Sequence, residues 1–267
     1  MLRWTQEEAF EVGGTSFRTM PVDYLDGAAL ELDEDEFFLC KPVAEIDSYV
    51  ELVRSRSPRR IVELGVFGGG STMFLAQVAS PERIVAVDLA PLEQVDEKIG
   101  RQIAAGALDD GVIHLHGGID QADRAELARI YTEGFGDAEV DLVIDDCSHF
   151  YAPTLASFNE LFPRLRTGGL YVIEDWRWAH HDLDALPTDG SEPERMPVTR
   201  LLLEALTSIA ATPGVIESIA VEPDKALIVR GEAPIDPATF DVTALSEPKG
   251  RTYLRSGKAE RRGLFRR

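Results

Sequence analysis

The chain has 267 residues, 44% of them hydrophobic, which is enough to build a full core and excludes disordered and fibrous classes. Its 27 Lys+Arg against 47 Asp+Glu give a net charge of −20, which repels phosphate backbones and argues against a nucleic-acid partner. Cys40 and Cys147 cannot form a disulfide framework, no apolar run nears transmembrane length and the acidic start lacks a signal-peptide core, so a cytoplasmic protein with no membrane partner is expected.

Residues 1–57 show weak periodicity. An acidic run from Glu31 to Glu36 ends at the apolar pair Phe37-Phe38, residues 49–53 continue as a helix, and Ser55-Arg56-Ser57-Pro58 breaks it. This part reads as a helical or loop cap. From residue 58 onward, apolar runs and amphipathic stretches alternate. Residues 60–66, 83–89, 112–116, 141–145 and 170–173 read as strands, with helices over 71–79, 94–107, 122–131 and 154–165 between them. In the last of these helices Leu155, Phe158, Leu161, Phe162 and Leu165 recur at spacings of three and four. Such alternation means βαβ units and a buried parallel sheet covered on both faces.

Residues 176–197, rich in Trp, His, Pro and acids, form an insert. A helix over 199–211 and strands over 215–221 and 225–229 follow, and Glu222-Pro223-Asp224 is short enough for a hairpin. The expected fold is therefore α/β and Rossmann-like over residues 58–232: a seven-stranded, mostly parallel sheet ending in an antiparallel pair, with helices on both faces. Residues 233–267 form an extension. Its part from 249 to 267 holds eight basic residues and one acid, +7 against −27 elsewhere, and the plain reading is a solvated terminus.

The first strand of the alternation runs into Glu63-Leu64-Gly65-Val66-Phe67-Gly68-Gly69-Gly70-Ser71, a glycine-rich turn before a helix whose first amides are free to meet a ligand. Phosphate, dinucleotide and S-adenosyl ligands all use such a turn, and spacing separates them. A dinucleotide fingerprint needs glycine at i, i+2 and i+5. From Gly65 the second falls on Phe67, and from Gly68 the third falls on Met73. A P-loop needs Lys before Ser or Thr, where this chain has Gly70. Glu63, two residues before the first glycine, suits a ligand that carries an ammonium group. Asp88, ending the second strand, is placed to accept hydrogen bonds from the two hydroxyls of a ribose, or else to cap the helix before Pro91. After the third strand, Asp120 or Gln121 either reaches an adenine edge or caps the next helix.

The fourth strand ends Asp145-Asp146-Cys147-Ser148-His149 and the fifth Glu174-Asp175-Trp176. Neighbouring parallel strands lie ~4.8 Å apart, so these acidic pairs should face one another. Carboxylates so crowded repel unless a cation sits among them or some are protonated. Oxygen ligands without a cysteine pair or second histidine favour Mg²⁺ over Zn²⁺, and whether Asp145 or Asp146 is the direct ligand stays open. His149 is either a capping residue or a general base, since imidazole titrates close to neutral pH. His180 and His181 either touch substrate or line a polar lid. His114 and His116 read as packing residues, and Cys147 as a spacer.

Together, VELGVFGGGS, VAVDLA, DLVIDDCSH and LFPRLRTGGLYVIEDW resemble class I S-adenosylmethionine-dependent methyltransferases. Within that class they are most similar to the metal-dependent O-methyltransferases of macrolide sugar hydroxyls (the mycinamicin type), with cephalosporin and rhamnosyl methyltransferase relatives. The resemblance covers roughly residues 58–178. It implies that Glu63, Gly65 and Ser71 line the methionine part of the cofactor, Asp88 the ribose, and Asp120 and Gln121 the adenine, with Asp145 also on the cofactor side. It implies Asp146, Glu174 and Asp175 as Mg²⁺ ligands and His149 as the general base. Two departures stand out: the macrolide branch carries a long N-terminal domain where this chain has about 57 residues, and Cys147 replaces the glycine of the family's DDGSH.

The expectation is an S-adenosylmethionine- and Mg²⁺-dependent O-methyltransferase. Its acceptor would be a hydroxyl of a sugar-bearing or polyhydroxylated small molecule, and a homo-oligomer is expected, with Phe37-Phe38 sealing an interface or a pocket. The alternatives are a metal-independent methyltransferase, a nucleotide-cofactor oxidoreductase, which Phe67 disfavours, and a non-catalytic S-adenosyl-binding protein.

Overall fold

Short strands and a glycine hairpin open the chain. The computed structural model describes residues 2–21, 24, 30–181 and 196–247. In it β1 (Arg3–Gln6), β2 (Ala9–Val12), β3 (Thr15–Thr19) and β4 (Phe37–Leu39) form a four-stranded sheet in that order, antiparallel except for the β3–β4 pair. Gly13 and Gly14 both have positive φ (61° and 88°), as a two-residue hairpin loop matching the strand twist requires. This sheet corrects the expectation of a helical or loop cap over residues 1–57. Strands of three to five residues are too short for alternation to stand out in the sequence, although the burial of β3 does alternate.

The sheet does not stand apart. Phe10, Phe17 and Phe37 are fully buried, and Phe10 and Phe17 each set their rings 6.0 Å from that of Phe74. Burying a phenylalanine contributes roughly 1.5–3 kcal/mol, so these rings tie the cap to the rest of the molecule. α1 (Val43–Arg56) follows and buries Ile46, Tyr49, Val50 and Val53, an apolar stripe at helical spacing.

The larger sheet holds β5 (Arg60–Leu64), β6 (Arg83–Asp88), β7 (Ile113–Gly117), β8 (Val140–Asp145), β9 (Leu165–Glu174), β10 (Ile216–Val221) and β11 (Lys225–Arg230). The helices are α2 (Gly70–Ala79), α3 (Glu93–Ala104), α4 (Arg124–Phe135), α5 (Tyr151–Leu161), α6 (Trp178–His181), α7 (Thr199–Ala211) and α8 (Val242–Ser246). The strand order is β10-β11-β9-β8-β5-β6-β7. β5 to β9 pair in parallel, while β11 is antiparallel both to β9 and to β10. The closing hairpin therefore tucks its second strand against β9, and only β11 runs against the rest.

Alternate residues of β5 feed two cores. Ile61 packs with α1 and α2, whereas Val62 and Leu64 pack with α4 and α5. Burial on both faces is why these strands read as continuous apolar runs. The chain order reverses between β5 and β8, and in open parallel sheets ligands bind outside the carboxyl ends at such a point. Gly65 and Asp146 lie there. Of the insert over residues 176–197, residues 182–195 lie outside the described residues, as does the basic tail from residue 249. No helix among the described residues is long and apolar enough to cross a membrane.

Candidate active site at the carboxyl edge of the sheet

The glycine loop is shaped by what it must avoid. A Cβ on Gly65, whose φ is +89°, would lie 2.1 Å from the Asp146 carbonyl oxygen, and one on Gly70 would lie 1.8 Å from that of Phe38. Both positions therefore exclude any side chain. Asp88 ties the loop to β6: its Oδ2 accepts the Val66 and Phe67 amides at 2.7 and 2.9 Å, and its Oδ1 accepts the Ala90 amide at 2.8 Å. A carboxylate offers about four acceptor directions, so about one remains for a ligand hydroxyl. The expectation of two ribose hydroxyls is narrowed accordingly. Phe67 itself adopts a left-handed conformation (φ 52°) and is 68% exposed at the loop's tip.

Below the loop, Glu63 is completely buried. The Thr72 hydroxyl donates to Oε2 at 2.5 Å, and Oε1 has no hydrogen-bond partner. Burial pushes this carboxyl up to about 7, against the pull of the Ser71 and Thr72 hydroxyls and with the help of the negative Glu174 and Asp146. An unpartnered buried carboxylate oxygen calls for a positively charged neighbour.

Gly65, Ser71, Asp88, Asp120, Gln121 and Asp146 line one cleft of about 540 Å³, which Phe38 and Lys41 close from the N-terminal side. Asp120 turns one oxygen back onto the Ala122 amide at 2.8 Å, while the cap of α4 is Asp123, which accepts from Glu126. Gln121 joins two strand ends: its amide donates to Asp145 at 3.0 Å, and its carbonyl accepts the Ser148 amide at 2.9 Å. Asp145 sits one layer back. It is 2% exposed and also accepts from Ser157 (2.7 Å) and Tyr171 (2.8 Å), and burial raises its carboxyl despite these bonds. Expected on the cofactor side, Asp145 instead anchors Gln121, and of the two aspartates it is Asp146 that faces the cleft.

At the rim, Asp146, His149 and Asp175 each bring a possible ligand atom within 4.8 Å of the others. His149 and Asp175 both have positive φ (57° and 47°), and such strain collects where a surrounding structure holds a site in shape. The Trp178 ring lies 6.1 Å from that of His149. His180, by contrast, engages the Thr199 hydroxyl at 2.6 Å.

Glu174, expected beside Asp146 and Asp175 as a third metal ligand, is engaged elsewhere. It is 6% exposed, with Lys41 Nζ on one oxygen and the Tyr49 hydroxyl donating to the other. Lys41 Nζ also lies 3.7 Å from Asp146 Oδ2. Burial alone would lower the Lys41 pKa, but Glu174 and Asp146 outweigh it and keep the ammonium charged. Reading the sequence missed Lys41 and Tyr49, which lie 133 and 125 residues from Glu174 and carry no local motif. Cys147 is a free, half-buried thiol whose pKa burial pushes up, as suits a spacer.

With this geometry in view, similarity to known proteins is informative. Residues 62–176 match the family described as "Methyltransferase domain". The 8-demethyl-8-alpha-L-rhamnosyl tetracenomycin-C 2'-O-methyltransferase of Streptomyces olivaceus is 31% identical over 158 residues, 57% of this chain and 37% of that protein. The mycinamicin VI 2''-O-methyltransferase of Micromonospora griseorubida is 36% identical over 123 residues, 43% of this chain and 27% of that protein. The chain thus spans about a third of the length of these relatives. The structure of MycE methyltransferase from the mycinamycin biosynthetic pathway, solved with Mg, SAH and mycinamycin VI, superposes with a TM-score of 0.54 at 28% identity, covering 70% of this chain and 50% of that one. The O-methyltransferase TomG from Streptomyces achromogenes shares the fold at a TM-score of 0.52 and 18% identity, over 78% of this chain and 95% of that one. Residues 62–176, less than half of the chain, are thus similar to the methyltransferase-domain family, and the chain shares the Rossmann-like methyltransferase fold of these structures.

Proposed function

We propose that the chain is an S-adenosylmethionine-dependent, divalent-cation-dependent O-methyltransferase acting on a sugar hydroxyl of a glycosylated small molecule. The observation that carries this reading is the convergence of Asp146, His149 and Asp175 at the rim of a cleft that begins at the glycine loop. The residues present fit both groups. Two carboxylates and an imidazole suit a divalent cation. Gly65, Ser71 and the Asp88 carboxylate, which line the cleft, suit a ligand that carries a ribose, and the buried Glu63 carboxylate below the loop suits one that carries an ammonium group. The sugar O-methyltransferases among the relatives, and MycE with bound Mg and SAH, point the same way.

When bound, the sulfonium cofactor supplies an electrophilic methyl group and the cation a fixed positive charge beside the acceptor. The chain's own residues do the rest. Asp88 holds the loop and one ribose hydroxyl, Glu63 faces the amino-acid end, and Gln121 keeps the ends of β8 and the β7–α4 turn in register. Asp146 and Asp175 fix the acceptor's place, which converts a bimolecular encounter into an oriented one. As the acceptor oxygen gains the methyl group, its proton passes to an imidazole nitrogen of His149. One observation favours a second reading, metal-independent transfer: Lys41 already places a positive charge between Glu174 and Asp146.

A panel of rhamnosylated tetracenomycin and mycinamicin acceptors, assayed for S-adenosylhomocysteine release with and without EDTA, tests the proposal. Transfer that EDTA abolishes and Mg²⁺ restores is expected. Transfer indifferent to chelator would leave the second reading, and no calorimetric binding of the cofactor would end both. Two free cysteines and the exposed Leu203 and Leu206 of α7 support a cytoplasmic homo-oligomer, which sedimentation of the full chain tests.

A further inference from the structure

The acidic cluster already contains a cation. Lys41 follows β4, is 6% exposed, and holds its ammonium on Glu174, 3.7 Å from Asp146 Oδ2 and 4.8 Å from the centre of the Tyr49 ring. Tyr49 donates to the remaining Glu174 oxygen, so both are engaged by α1 and the segment before it. A buried carboxylate needs such partners, and removing one would leave an uncompensated charge. The neighbouring buried lysine, Lys225, is matched separately by Asp224 (2.7 Å) and Glu222 (2.8 Å), and its Nζ lies 5.8 Å from the centre of the Tyr49 ring. Lys41 is thus the cation assigned to the Asp146–Glu174 edge.

We propose that Lys41 is a resident counter-cation that keeps the Asp146–Glu174 edge assembled without a divalent ion and opposes divalent binding at Asp146, His149 and Asp175. This rests on reading that trio as a cation site. Like charges a few ångströms apart in a partly buried site repel by more than a tenfold change in affinity requires, even at an effective dielectric of about 20. Divalent binding therefore proceeds against Lys41 or displaces it. Lys41 lies two residues after the strand whose Phe38 carbonyl seats Gly70, which links the cation's position to the N-terminal sheet.

The test is titration of Mn²⁺ alone into the metal-free full chain, followed by calorimetry and by electron paramagnetic resonance of the free ion. Lys41→Met should bind Mn²⁺ at least about tenfold more tightly than wild type. Lys41→Arg, which keeps the charge, should stay close to wild type. Metal-free Lys41→Met should also melt lower and recover with Mn²⁺. Equal or weaker binding by Lys41→Met overturns the proposal. Should that variant not fold without metal, Lys41→Met/Glu174→Gln is compared with Glu174→Gln, where the buried region stays neutral: tighter binding by the double variant supports the proposal, and equal or weaker binding overturns it. Mn²⁺ binding that ignores Lys41 removes this inference alone. No Mn²⁺ binding by any variant, while S-adenosylmethionine still binds, removes the cation-site reading and the inference with it.

Discussion

Replacing Glu63 by Gln removes a negative charge that the fold by itself holds at a disadvantage. Its carboxyl is pushed from an ordinary value of 4.5 up to about 7, chiefly by burial. At ~1.4 kcal/mol per pH unit, this amounts to about 3 kcal/mol. The sign follows from linkage. Between pH 4.5 and 7 the folded state binds more protons at Glu63 than the unfolded state, so stability falls as pH rises through that window and the full penalty is present above it. The substituted amide carries no such penalty, but as a neutral acceptor it weakens the bond from Thr72 by about 1 kcal/mol. The net expectation at pH 8 is a gain of about 2 kcal/mol, or roughly 4–8 °C in Tm for a chain of this size. At pH 4.5 and below, wild type and variant should melt within a degree or two of each other. Calorimetric melting of the ligand-free protein at pH 4.5 and pH 8 measures both. A variant that melts no higher than wild type at pH 8, or whose advantage is the same at both pH values, would refute the reasoning. The same substitution should weaken binding of a ligand that brings an ammonium group, because the stabilising charge pair is gone.

Gly65→Ala forces a Cβ onto the Asp146 carbonyl at a φ of +89°, so a loss of more than about 3 kcal/mol in a urea titration is expected, and wild-type stability would disprove the close approach. Tyr171→Phe deletes the 2.8 Å bond to Asp145, leaving a buried carboxylate short of one donor; a destabilisation of about 1–3 kcal/mol should appear in the same assay, and none at all would show Asp145 to be satisfied without it. His149→Ala should lower kcat by roughly 10²–10⁴ while calorimetric affinity for the methyl donor stays near wild type, and a fully active variant would dismiss the proton-acceptor role.

Much of the larger sheet is legible in the sequence because its signals are local. Short continuous apolar runs mark β5 to β9 and period-3.6 patterns the helices between them, the pattern over residues 199–211 gives α7 its observed ends, Phe67 two residues after Gly65 sets aside the dinucleotide reading, and Gly70 before Ser71 the P-loop reading. The acidic ends of β8 and β9 are equally visible. The N-terminal strands are not, since each is too short to show a period and the sheet is held through Phe10, Phe17 and Phe37, which join the core cluster that includes Phe74.

The same distinction runs through the site. Residue types alone tell which chemistry gathers at the carboxyl edge: a glycine loop, an acid after each neighbouring strand and one histidine. Only the tertiary structure decided how those groups divide their work. It turned Asp145 inward and Asp146 outward, bent Asp88 onto the loop amides, and set Lys41 and Tyr49 against Glu174 from more than a hundred residues away. A pattern along the chain reports which face of its own element a residue occupies, whereas the partner that satisfies a buried charge is chosen by packing between elements, and that leaves no mark on the neighbouring sequence.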